Sequence, residues 1–150
     1  MKYDSTNDTI DHIGKVQNNL YDVIENIKER ADVHDKSKLL SPEKEIFDTF
    51  TPLLKNSAYG SDEYKQFLAD MKPGLDHHYA VSTHHPEHFE NGIDDMTLLD
   101  LIEMFCDWKA ATQRHADGDF SKSLEINKGR FKMSDQLAQV FKNTQKELDW

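Results

Sequence analysis

Cysteine is nearly absent. Cys106 stands alone in the chain, which excludes an intramolecular disulfide and a thiolate zinc knuckle and suits a reducing compartment. No run of about 18 apolar residues occurs, so no membrane span is expected. The N-terminal residues also lack the apolar stretch of a secretory signal. These absences point to a cytoplasmic protein. Basic charge is scarce as well: 18 Lys and Arg stand against 28 Asp and Glu, a net −10. A surface of that sign does not displace counterions from phosphates, so stable nucleic-acid binding is not expected. A nucleotide remains open as a ligand, because a bound divalent cation supplies local positive charge. Sustained apolar–polar alternation is missing too, and strands with it.

What the chain does have is helical periodicity. Its 150 residues, 37% hydrophobic and 31% charged, fit one globular domain with a buried core. After a loose polar arm at 1–8, apolar positions recur at helical spacing over 9–31 through Ile10, Ile13, Val16, Leu20, Val23, Ile24 and Ile27. Ser41-Pro42-Glu43 reads as a helix start, with serine as N-cap and proline in the first turn. That helix yields near 56–60. A third begins at Ser61, and Pro73-Gly74 precedes a fourth over 75–85, closed by Pro86. The most apolar helix covers 96–115. A turn at 116–120 and two further helices, within 121–131 and over 133–148, form a C-terminal extension from residue 117. The expected architecture is an all-α, HD-like bundle of about six or seven helices. Phe120, Phe131, Phe141 and Trp150 serve either its core or a homodimer surface.

Candidate chemistry is concentrated in histidines. Five of the eight fall within 77–88. On a helix over 75–85, His78, Ser82 and His85 share one stripe, and His77, Val81 and His84 the next. Two imidazoles on one face can converge on a metal when a carboxylate arrives from elsewhere. His34-Asp35 offers an imidazole and a carboxylate side by side, a pair suited to manganese, iron, zinc, cobalt or magnesium. Lys38 beside it could neutralise a phosphate. His12 sits at the edge of the first apolar stripe. On the 96–115 helix, Asp100, Glu103, Asp107 and Arg114 share a narrow polar stripe, for which a solvated face and a functional role are equally open at Asp100 and Glu103. Asp107, among bulky apolar neighbours and one turn before Ala110 and Ala111, is the expected buried carboxylate.

In chain order these candidates are His12, His34-Asp35, His77 or His78, His84 or His85, and Asp107. That pattern resembles the HD-domain superfamily of metal-dependent phosphohydrolases. His34-Asp35-Lys36-Ser37-Lys38 is similar to the His-Asp-x-x-Lys of its cyclic-dinucleotide diesterase branch, and His84-His85-Pro86-Glu87 to that branch's paired histidines. The branch's Gly-Tyr-Pro signature is absent, so its substrate is not carried over. A closer likeness is to an uncharacterised family of phages and bacteria. It rests on the HDKSK stretch, on His77 to Phe89, on Asp100 to Ala111, and on Ser123 to Phe131 with Ser134-Asp135-Gln136-Leu137. For a phage-encoded protein the location would be the host cytoplasm.

The HD-type resemblance implies a reaction and roles. His34, Asp35 and Asp107 would hold one divalent ion, with His12 as a further ligand. His78 and His85 would hold a second ion or orient the substrate phosphate. Metal-activated water would attack phosphorus in a nucleotide or small phosphoester. Lys38 and Arg114 would offset phosphoryl charge, and His84 or His88 would protonate the leaving oxygen or meet the phosphate. Glu43 or Glu103 would orient a bound water or a histidine's second nitrogen. Two other classes fit the same residues. One is a non-catalytic protein-interaction module whose metal is structural or lost; the other is an HD-related oxygenase using two irons.

Overall fold

Every regular element among the described residues is helical. The computed structural model describes residues 3–57, 61–114 and 118–150. It contains α1 (Thr6–Val33), α2 (Glu43–Asn56), α3 (Asp62–Asp70), α4 (Lys72–Val81), α5 (Leu98–Thr112), α6 (Phe120–Arg130) and α7 (Asp135–Glu147). Short 3-10 turns occupy Lys36–Leu39, Pro86–His88 and Gly92–Asp95. The expected turns at 56–60 and 116–120 lie partly outside the described residues. No described helix is long and apolar enough to cross a membrane. The chain divides into two units, Met1–His34 and Asp35–Trp150.

The first unit is α1. Its helix starts earlier than the spacing of apolar residues predicts, so 1–8 is not a loose arm throughout. The Asp4 carboxylate accepts from both the backbone N–H (3.0 Å) and the hydroxyl (2.6 Å) of Thr6, which satisfies a first-turn donor and winds the chain from Thr6 onward. Exposed i,i+4 and i,i+3 pairs line its outer surface: Lys15 Nζ lies 2.6 Å from Asp11, and Lys28 Nζ 2.9 Å from Glu25. His34 leaves the helix in an extended conformation.

In the second unit, α2, α3 and α4 pack on one another, and α5, α6 and α7 close around the main apolar cluster. Met104, Phe105 and Trp108 of α5 meet Phe120 and Leu124 of α6, then Met133, Ala138 and Phe141. Phe120 and Phe141 are therefore core residues, and α6 and α7 supply half of this core rather than an appendage to it. Trp150 stacks on Phe105, with ring centroids 5.5 Å apart. The α5 arc is narrower than its composition suggests, for Leu98 and Cys106 are exposed.

Two helix boundaries differ from expectation, each for a physical reason. Helix α2 starts at Glu43 with Pro42 rather than Ser41 in the cap position. Helix α4 includes Pro73 and Gly74 in its first turn, where a missing N–H costs nothing. Gly74 is needed there because a Cβ would come 2.9 Å from Cγ2 of Ile46 on α2. At its other end α4 stops at Val81, and Ser82 turns extended. Thr83 then donates to the buried Asp100 carboxylate at 2.6 Å. Asp100 also completes a capping box with Thr97 at the start of α5. That carboxylate is no solvated residue; it ties the histidine loop to α5.

Candidate metal centre

His84 and His85 thus stand on a turn beyond α4, not on its stripe. The loop folds back so that His85 Nε2 comes 3.0 Å from His78 Nε2 on α4. Sequence separation of seven residues brings them together, though not through helical geometry. His84 joins from the same loop: its ring centroid lies 4.2 Å from that of His85 and 5.8 Å from that of His78. Both members of the pair are present, so the choice between them does not arise.

The carboxylate comes from Asp35. It sits between α1 and the Lys36–Leu39 turn with φ at +57°, a left-handed conformation that Asp tolerates better than most residues. That conformation sends Oδ1 to within 3.2 Å of His78 Nε2 and 3.6 Å of His84 Nε2. One donor atom from each of Asp35, His78, His84 and His85 lies within 4.8 Å of the others. His78 and His84 are buried. Three imidazole nitrogens and one carboxylate oxygen converge on a single point.

Outer residues orient this set. Glu43 has no exposed surface. Its Oε2 lies 3.0 Å from His78 Nδ1 and accepts from the Ser37 hydroxyl at 3.0 Å, while its Oε1 lies 2.8 Å from His77 Nδ1. A proton on His78 Nδ1, donated to Glu43, leaves the Nε2 lone pair facing Asp35 and His85. Glu103 Oε1 stands 3.2 Å from His84 Nδ1 and can fix that ring in the same way. Each of two rings of the cluster is therefore backed by a carboxylate.

Electrostatics favour the metal-ready state of these groups. Burial, with the neighbouring His84 and His78, pushes His85 down to about 3, so it is neutral across the physiological range. Burial alone would raise the Glu43 carboxyl. Hydrogen bonds from His77 and Ser37, together with His78, outweigh it and hold the group below the usual range. Lys38 Nζ lies 2.6 Å from Asp35 Oδ2 and 5.4 Å over the Phe47 ring. The lysine thus engages the outer oxygen of the carboxylate whose other oxygen faces the histidines.

The remaining candidates fall in different places. Asp107 is half-buried, and one of its oxygens lies within 4.8 Å of an Asp35 oxygen. Its charge also pulls His85 upward against the stronger terms. His77 is largely exposed and faces Glu43 rather than the cluster. His88 Nδ1 lies 2.8 Å from the Tyr79 carbonyl, where it clamps the turn after α4. Arg114 is exposed beyond the end of α5. His12 lies on the exposed surface of α1, and His34 closes the same unit. Since α1 is unbroken between them, their 22-residue separation spans about 33 Å, too far for both to bind one ion in one chain.

Sequence reasoning gives Glu43 a role only through the HD-type resemblance and gives Ser37 none. A carboxylate one residue after a proline reads as a first-turn helix acid, and nothing local marks it as buried. The signal that could have found it is its helix: Ile46, Phe47 and Phe50 follow at helical spacing on the inward face.

The chain belongs to a family of unknown function (DUF5662), whose model matches residues 1–148. No curated protein matches it, and no solved structure does.

Proposed function

We propose that this protein is a metal-dependent phosphohydrolase of HD type that acts on a nucleotide or small phosphoester. The observation that carries the reading is the convergence of Asp35, His78, His84 and His85 on one point, with Glu43 and Glu103 behind two of the rings. Their order along the chain resembles the Asp, His and His part of the HD-type pattern, and the donor set fits a divalent ion. Three nitrogens and one oxygen suit manganese, iron, zinc or cobalt better than magnesium, which prefers oxygen.

Asp35, His78, His84 and His85 would hold the ion, with Asp107 beside Asp35. A bound ion there supplies Lewis acidity and a hydroxide at neutral pH. Glu43 keeps His78 in the Nδ1-protonated tautomer, and Glu103 does the same for His84. Lys38 offsets charge at the outer Asp35 oxygen, and from there it could meet a substrate phosphoryl oxygen. With a net charge of −10 the chain attracts no phosphoester at long range, so recognition rests on the ion and this local cation.

The test is hydrolysis of a panel of nucleotides, cyclic dinucleotides and simple phosphoesters by manganese-loaded protein, read by chromatography of substrate and product. Hydrolysis lost on Asp35→Asn supports the reading; metal-loaded protein inert toward the whole panel counts against it. The histidine share of the donor set also suits iron, so an oxygenase is the second reading. Oxygen uptake by the iron-loaded protein, without hydrolysis of any phosphoester in the panel, would select it.

A further inference from the structure

We propose that α1 is a self-association surface, pairing antiparallel with α1 of a second copy of this chain. The helix is 28 residues long and none of its side chains is buried. Ile10, Ile13, Val16, Leu20, Val23 and Ile24 are each between 40% and 62% exposed. Ile13, Val16, Leu20, Val23 and Ile27 follow one another at steps of three, four, three and four residues. That is a 3.5-residue period, which keeps an apolar seam straight against another long helix; a 3.6-residue pattern would drift around the axis.

The residues flanking the seam say which helix. His12, Gln17, Asn19 and Asn26 line it together with Ile10 and Ile24. The charged side chains Asp8, Asp11, Lys15, Asp22, Glu25, Lys28, Glu29 and Asp32 all fall on the far side, and Arg30 alone falls at the end of the seam. Charged flanks are the usual device for choosing an unlike partner and rejecting a copy. Here there are none, so two chains of net charge −10 can approach along this face without setting acid against acid.

The pattern is also complementary to itself when reversed. About a two-fold axis at Asn18, Ile13 meets Val23, Val16 meets Leu20, and Ile10 meets Ile24. Gln17 and Asn19 each meet their own copy. The pairing is isologous, as a closed dimer requires. A parallel pairing would instead set Ile24 against Asn19.

Sedimentation of the full chain over about 1 to 100 µM tests the association. A dimer is expected for the wild type, and a monomer with unchanged helix content for Leu20→Glu. A wild-type monomer over that range overturns the proposal. Orientation is read without disturbing the seam, in a Cys106→Ser background, since Cys106 is exposed. A short bismaleimide should bridge Gln17→Cys chains. It should not bridge Ile10→Cys chains, whose sites would stand about 24 Å apart. Bridging at residue 10 as efficient as at residue 17 overturns the antiparallel arrangement.

Discussion

Asp35 does two things at once: it bends the backbone into the left-handed region and offers a carboxylate oxygen to three histidines. Asn tolerates that conformation as well as Asp does, so Asp35→Asn isolates the charge from the backbone. We expect the variant to keep its helix content and to lose bound metal, read by elemental analysis; full metal occupancy would remove Asp35 from the site. Glu43→Ala should strip His78 and Ser37 of their buried acceptor. The expected cost is about 1–3 kcal/mol in denaturant unfolding, with metal affinity lower by roughly 10–100-fold. A stability loss with unchanged affinity would make Glu43 purely structural. His85 sets the pH dependence of the metal-free protein. Its folded-state value of about 3 lies below the ordinary 6.5, so the unfolded chain binds the extra proton in that window. Stability is then full above pH 6.5 and falls as pH drops toward 3, and the lowered Glu43 adds in the same direction at the acid end. Urea unfolding of metal-free protein at pH 7, 6 and 5 checks this, and a flat profile would contradict it. Asp35, His78, His84 and His85 were legible in the sequence because ligand chemistry is carried by residue type. The depth of Glu43 and Asp100 was not, because burial is decided by which helices meet.

Helices α5, α6 and α7 could be read from apolar spacing because they bury continuous stripes on one cluster. Helix α4 could not be delimited in that way. Its start is allowed by Gly74 against Ile46, and past its end the Thr83–Asp100 bond fixes the chain; both are tertiary contacts. The misjudged end matters for function, since a helix running through His85 would have left His84 on a different stripe from His78. Gly74→Ala tests the α2–α4 contact that sets Glu43 against His77 and His78. The added methyl must push Ile46 aside, at a cost of about 1–3 kcal/mol. Ile46→Ala, which removes the Cγ2 and Cδ1 that the methyl would meet, should recover part of that loss in the same chain, since the two changes share one contact. Simple additivity of the two variants would mean that the helices do not touch there.

For the whole molecule, all-α architecture followed from missing alternation and abundant 3.6-residue spacing, and the described residues are helical throughout their regular elements. The division into Met1–His34 and Asp35–Trp150 was not legible, because no Gly- or Pro-rich stretch marks a boundary at 34–35. Family membership covers nearly the full chain yet names no reaction, so the account stands or falls on the metal. The deciding measurement is elemental analysis of purified wild type beside Asp35→Asn, each after incubation with manganese, iron or zinc. About one or two equivalents of a transition metal are expected in the wild type and none in the variant. Wild-type protein that takes up no metal, or a variant that binds as much as wild type, would contradict that.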